Sequence, residues 1–225
     1  MATAEDPASA EKGIDVYRFF VRSYLGAYPK VYQRDKEDGK PLWKNTIFIS
    51  MVSNIIFCSL IYYIFGFQAF VCFMIQVLGA VFYLEAINYI EHYGLRRKKN
   101  IEGEYEKVTV RHSWNSAHRF SNYLFFKLQR HSDHHENAMK PYQTLLTIDE
   151  AAQLPHGYII MTVMALFPKT FFRIMDPLVD HYAKYETNNE AMKEVYAKSV
   201  FETREFIIKI SLWATVLFIL SHFLI

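Results

Sequence analysis

The chain has 225 residues, enough for one domain with a substantial core and short for two. Apolar residues make up 52% and aromatic ones 17%, yet 21% are charged, a mixture that suits a chain lying half in lipid and half in water. The net charge is +2 and no basic tract is interleaved with stacking aromatics, which excludes nucleic acid as the expected partner.

The amino-terminal stretch MATAEDPASAEKG has no apolar core of the signal-peptide kind. From Asn45 to Ile90 there is no Lys, Arg or Asp, and Glu85 is the only carboxylate. A run of this length is too long for one span and right for two, because a helix needs about 20 apolar residues to cross hydrocarbon. The expectation is a transmembrane hairpin over about 45–65 and 68–90, turning at Phe65 to Gln68. Basic residues flank both outer ends, with Arg96 to Lys99 following the second arm, which places those ends on the cytoplasmic side. Cys58 and Cys72 fall inside this apolar run and read as buried small hydrophobes rather than a disulfide or metal pair.

Toward the end of the second arm, Glu85, Asn88 and His92 fall at i, i+3 and i+7, a polar strip on an apolar helix. It reads either as helix-to-helix hydrogen bonding or as His92 serving a metal with an acidic neighbour, Glu91 or Glu85, orienting an imidazole. Residues 96–156 are polar and carry most of the histidines, forming a cytoplasmic cap. Within them His112 and His118 are six apart and share no helical face, so either a supporting role near a site or a surface role is open to each, as it is to the intervening Asn115.

The densest chemistry is LQRHSDHH, Leu128 to His135. Ala117, Phe120, Leu124, Leu128, His131 and His135 are spaced as one helical stripe, with His134 and Asp133 beside it, so the imidazoles are expected to point inward. Buried imidazoles need partners, and a metal ion accepts three at once; the spacing does not choose among Fe, Zn, Cu and Ni. Gly157 to Phe167 is apolar but too short to span and suits an interfacial or re-entrant element. A charged helical segment over 184–205 leads into Phe206 to Ile225, a possible third span. The fold class is therefore all-α: an integral membrane hairpin with a cytoplasmic helical cap over 1–183, then a charged helix and an apolar helix over 184–225. His156, His181 and His222 stand singly, and nothing resembles a nucleophile elbow or a phosphate loop.

NYIEHYGL (88–95), HSWNSAH (112–118), LQRHSDHH (128–135), YQTL (142–145), QLPHGY (153–158) and MDP (175–177) together resemble the carboxy-terminal half of membrane-bound alkane monooxygenases, over about 2–182. That family belongs to the histidine-rich membrane di-iron oxygenases, with desaturases and xylene monooxygenases. The resemblance implies a non-haem di-iron centre on the cytoplasmic side, O2-dependent hydroxylation of the terminal methyl of alkanes or related lipid chains, and a rubredoxin-type electron donor. His92, His131, His134 and His135 match family ligands; Glu85, Asn88, Glu91, His112, Asn115, His118 and Asp133 are candidates for supporting or substrate-side roles. The family's two earlier boxes, HExxH and HxxxHH, do not occur in these 225 residues. The expectation is a part of such an enzyme, inactive alone, with a second chain as one source of the missing boxes. The alternatives are a non-catalytic membrane scaffold and a desaturase-like or aromatic-methyl hydroxylase activity.

Overall fold

The structure is a computed structural model, and it describes residues 2–3, 5–184 and 190–223. It is mostly helical. Helix α1, Val16–Glu37, opens on Asp15, whose side chain accepts from the Arg18 N–H at 2.9 Å, and closes with Arg34 and Lys36 at the negative end of its dipole. Asp35 is buried and accepts from Lys40 Nζ and the Thr46 N–H, both at 2.6 Å, which ties the end of α1 to the start of the next helix.

Helix α2, Thr46–His92, is capped by Asn45, whose Oδ1 accepts from the Ile47 and Phe48 N–H groups. Among the described residues it is the one helix long and apolar enough to cross a membrane. Its path breaks at Gly66, where φ is 82° and ψ 177°, a conformation open to glycine alone. The rings of Phe57 and Phe73 lie 5.7 Å apart, whereas sixteen residues of continuous helix would separate them by about 24 Å, so the chain doubles back here. Most side chains of both arms are exposed in the isolated chain. Cys72 is therefore exposed and Cys58 only partly covered, contrary to the expectation of burial, because little protein surrounds the arms.

The core gathers at the lower end of the second arm. Tyr89, one turn before Tyr93, packs against Phe19 of α1 at 5.4 Å between ring centroids, and both tyrosines pack on Phe171 at 5.0 and 4.9 Å. Tyr93 donates to Asp176 at 2.6 Å and accepts from the Gly13 N–H at 2.8 Å. The Trp114 indole donates to the Tyr93 carbonyl at 2.8 Å and so caps the helix end. With Tyr89, Ile90 and Tyr93 held in the core, Glu91 and His92 are presented to the polar cap.

In the cap, the single-stripe expectation does not hold. Helices α3, Arg119–Leu124, and α4, His131–Glu136, are separate six-residue pieces. Phe126 and Lys127 between them have φ of 49° and 60°, which no α-helix allows. Phe120 and Leu124 consequently face outward, while His131 is buried. Two short strands, β1 (Trp114–Asn115) and β2 (Ala152–Gln153), pair in parallel beneath α4.

Helix α5, Tyr158–Ala165, is a core helix: Tyr158, Met161, Met164 and Ala165 are all buried, in place of the expected interfacial element. Helix α6, Pro168–Lys184, presents Phe171, Ile174, Met175, Leu178, Val179 and His181 to the interior at helical spacing. Helix α7, Glu190–Phe223, joins the charged segment and the apolar end into one helix; Ser199, Thr203 and Phe206 pack inside, and the residues from Ile208 onward are largely exposed. Residues 185–189 and 224–225, and the His222 side chain, lie outside the described residues.

Candidate metal centre

His92 at the end of α2 meets His131 and His135 of α4. The Nε2 of His131 lies 3.2 Å from that of His92 and 2.7 Å from that of His135. These three nitrogens are within 4.8 Å of one another, close to the spacing of ligands bonded to one ion at about 2.1 Å. Burial, with His92 next to it, holds His131 well below the ordinary imidazole pKa; burial, with His134 alongside, lowers His135 to about 4. At neutral pH both rings are neutral and offer lone pairs.

The short helix α4 is too brief to be stable by itself and is held by side chains. Asn115 Oδ1 accepts from the Ser132 N–H at 2.9 Å, and Asn115 Nδ2 donates to Ser132 Oγ at 2.8 Å. That hydroxyl donates in turn to the Val110 carbonyl at 2.7 Å. On the other side Asp133 accepts from Lys140 Nζ and the Leu146 N–H, both at 2.7 Å. Burial pushes the Asp133 pKa up, but these donors hold it below the usual carboxylate value. Asn115 and Asp133 thus position the helix that carries His131 and His135 and do not face the cluster themselves.

Glu91 is buried, with Oε1 at 3.4 Å from His131 Nδ1. Tyr158, also fully buried, is a hydrogen-bonding partner of Glu91, and its hydroxyl lies 3.4 Å from the Trp114 carbonyl. A proton on the His131 Nδ1, the nitrogen that faces Glu91, leaves Nε2 free to bind. The Nδ1 atoms of His92 and His131 and Oε1 of Glu91 lack a hydrogen bond in this geometry, and three facing Nε2 atoms satisfy one another poorly. A cation among the Nε2 atoms gives those three facing lone pairs a common partner, while the Nδ1 atoms and Oε1 face away from it. The residues present fit a histidine-bound metal such as non-haem iron.

His134 does not join this group: its ring centroid is 6.2 Å from His131 and 5.7 Å from His135, and it is only half-buried. Glu85 and Asn88 bond each other at 3.3 Å along α2. His112 uses both nitrogens elsewhere, accepting from the Thr109 N–H at 2.9 Å and meeting Glu106 at 3.2 Å. His118 stacks on His156 at 4.5 Å, so His156 is not solitary. Tyr158 and Ser132 carry no recognisable signal of their own in the sequence; each is found only by what the fold sets beside it.

The family model described as fatty acid desaturase matches residues 1–165. The chain is 40% identical over 188 residues to alkane 1-monooxygenase 1 of Pseudomonas aeruginosa, covering 81% of this chain and 49% of that protein. It is 36% identical over 208 residues to the alkane 1-monooxygenase of Ectopseudomonas oleovorans, covering 88% and 52%, and 38% identical over 188 residues to that of Acinetobacter baylyi, covering 80% and 46%. The chain thus spans about half the length of the curated relatives it matches. With its histidines converging at the foot of an apolar helix and most of its length matched, the chain belongs to the fatty acid desaturase family.

Proposed function

We propose that this chain forms part of a membrane-bound monooxygenase that hydroxylates the terminal methyl of alkanes or related lipid chains. The observation that carries the reading is the convergence of His92, His131 and His135 at the end of a long apolar helix, in a chain similar to alkane 1-monooxygenases. In this reading the two arms of α2 cross the bilayer as a hairpin, and the end bearing His92, followed by Arg96 to Lys99, lies on the cytoplasmic side.

His92, His131 and His135 hold one iron through Nε2, and His134, turned out of that group, serves a second ion with ligands from further polypeptide. Those ligands are the HExxH and HxxxHH motifs, on the same polypeptide or on another. Iron, when bound, supplies the reduction of O2 that lets one oxygen atom enter a C–H bond while the other leaves as water. Two electrons and two protons complete that balance, and a rubredoxin-type carrier supplies the electrons. Glu91 backs the Nδ1 side of the His131 ring, and Asn115, Ser132 and Asp133 fix α4 so that its imidazoles are presented without reorganisation.

The test is to co-express this chain with a polypeptide carrying the two further motifs, purify the assembly in detergent, and measure bound iron and conversion of an alkane to its 1-alkanol with a reduced rubredoxin. Iron retention and alkanol formation, both lost in His131→Ala, are expected. An assembled pair that holds no iron and forms no product overturns the reading.

A further inference from the structure

We propose that the segment from Arg119 to Arg130 binds the phosphate headgroup of an anionic phospholipid at the membrane surface; this rests on the reading of α2 as membrane-embedded. A cavity of about 480 Å³ opens beside α3, and its lining includes Arg119, Lys127, Arg130, Tyr123, Phe126 and Tyr142 but no carboxylate. Among the described residues, Lys127 Nζ and Arg130 Nη1 donate to neutral groups, the carbonyls of Gln143 and Leu145, each at 2.5 Å. The Arg130 Nε is buried without a hydrogen-bond partner, and Arg119 is exposed. Three cations in one hollow without an acid repel one another, and a phosphate is the ligand that relieves them, as guanidinium groups match its oxygens.

The rim of the cavity fits lipid rather than free phosphate. Tyr123 and Phe126 on its lining are 81% and 68% exposed, and Phe120, next to Arg119 in the chain, is 75% exposed, a cluster rather than isolated surface aromatics. Phe126 and Lys127 take up left-handed backbone that disfavours residues with a β-carbon, and this turn sets the Phe126 ring outward against Tyr142 at 5.8 Å while Lys127 lines the cavity. The depth is fixed by Phe125, whose ring lies 6.3 Å from Tyr83 on the second arm of α2. Tyr83 is nine residues before His92, about 13 Å up the helix, so the segment flanks the arm where apolar side chains still face outward. Aromatic rings interleaved with Arg and Lys at that level match the boundary between acyl chains and headgroups.

The experiment compares the full chain with Arg119→Gln/Lys127→Gln in nanodiscs of phosphatidylcholine with or without phosphatidylglycerol, extracts both mildly, and counts retained lipids by native mass spectrometry. The remote, exposed Arg18→Gln on α1 is the control. Wild type and control are expected to retain phosphatidylglycerol in preference to phosphatidylcholine, and the double variant to lose that preference by about tenfold. Equal retention by wild type and double variant overturns the site, and so does competition by millimolar inorganic phosphate that leaves no preference for lipid. Carbonate extraction of the same membranes separates the two readings: a wild-type chain that washes out overturns the embedded α2, whereas one that stays while showing no preference overturns the headgroup site alone.

Discussion

Glu91 Oε1 lies 3.4 Å from Nδ1 of His131, and neither atom has a hydrogen bond in this geometry. The contact ties the end of one long helix to the start of a six-residue one, and it faces the nitrogen opposite the one that converges on His92 and His135. Carboxylates in this position raise ligand basicity and fix ring orientation, and their loss costs 10–100-fold in metal affinity in general. Glu91→Gln is therefore expected to weaken cobalt or iron binding by roughly that factor, read by metal titration of the full chain in detergent. Unchanged affinity would show that the contact is only a packing neighbour.

His134 and His135 are adjacent in sequence but differ in placement, since only His135 converges with His92 and His131. His135→Ala removes one of three converging nitrogens and is expected to abolish stoichiometric binding of one metal ion by this chain, whereas His134→Ala leaves it intact. Equal loss in both would sink the assignment of His134 to a separate ion.

Gly94 has φ of 72°, and a β-carbon there would come within 2.6 Å of both methyl groups of Val179. The left-handed backbone and the clash add, so Gly94→Ala is expected to lose at least about 2 kcal/mol of stability, measured as a lower midpoint in thermal or denaturant unfolding. Pairing it with Val179→Ala should restore part of the loss, since that removes the methyl groups in the way.

Asp35 is held well below the usual carboxylate range by its hydrogen bonds to Lys40 and Thr46. A carboxyl whose pKa falls on folding stabilises the fold above its unfolded value, near 3.8, and that contribution is lost as pH falls through the lower folded value. Asp35→Asn should thus unfold at lower temperature than wild type at pH 7, and the gap should begin to narrow below about pH 4 and close only toward the lower folded value. A gap independent of pH would show that the carboxylate's charge is not what holds the junction of α1 and α2.

Much of the site was legible because it depends on local features. The apolar run from Asn45 to Ile90, and the histidine spacing at 131, 134 and 135, are visible in the chain before any folding. The expectation that the imidazoles point inward was right for His131, but its reason was not. The stripe through Phe120 and Leu124 is broken at Phe126 and Lys127, and a network around Ser132, Asn115 and Asp133 turns the ring inward instead. Hydrogen bonds between residues many positions apart leave no periodic trace.

The sequence alone pointed to the helical class, to the stretch from Phe65 to Gln68 as a place where the apolar run could turn, and to the residue types that could bind a metal, since hydropathy and spacing are properties of neighbouring residues. Only the tertiary structure decided that His92 stands 3.2 Å from a histidine 39 positions later, that Glu91 backs that ring, that His134 stays apart, and that His118 meets His156. Those choices follow from the aromatic packing of Tyr89, Tyr93 and Phe171 and the Trp114 cap, which fix the end of α2 against the cap of the molecule. Such packing joins distant segments through shape and burial, so no local pattern encodes it.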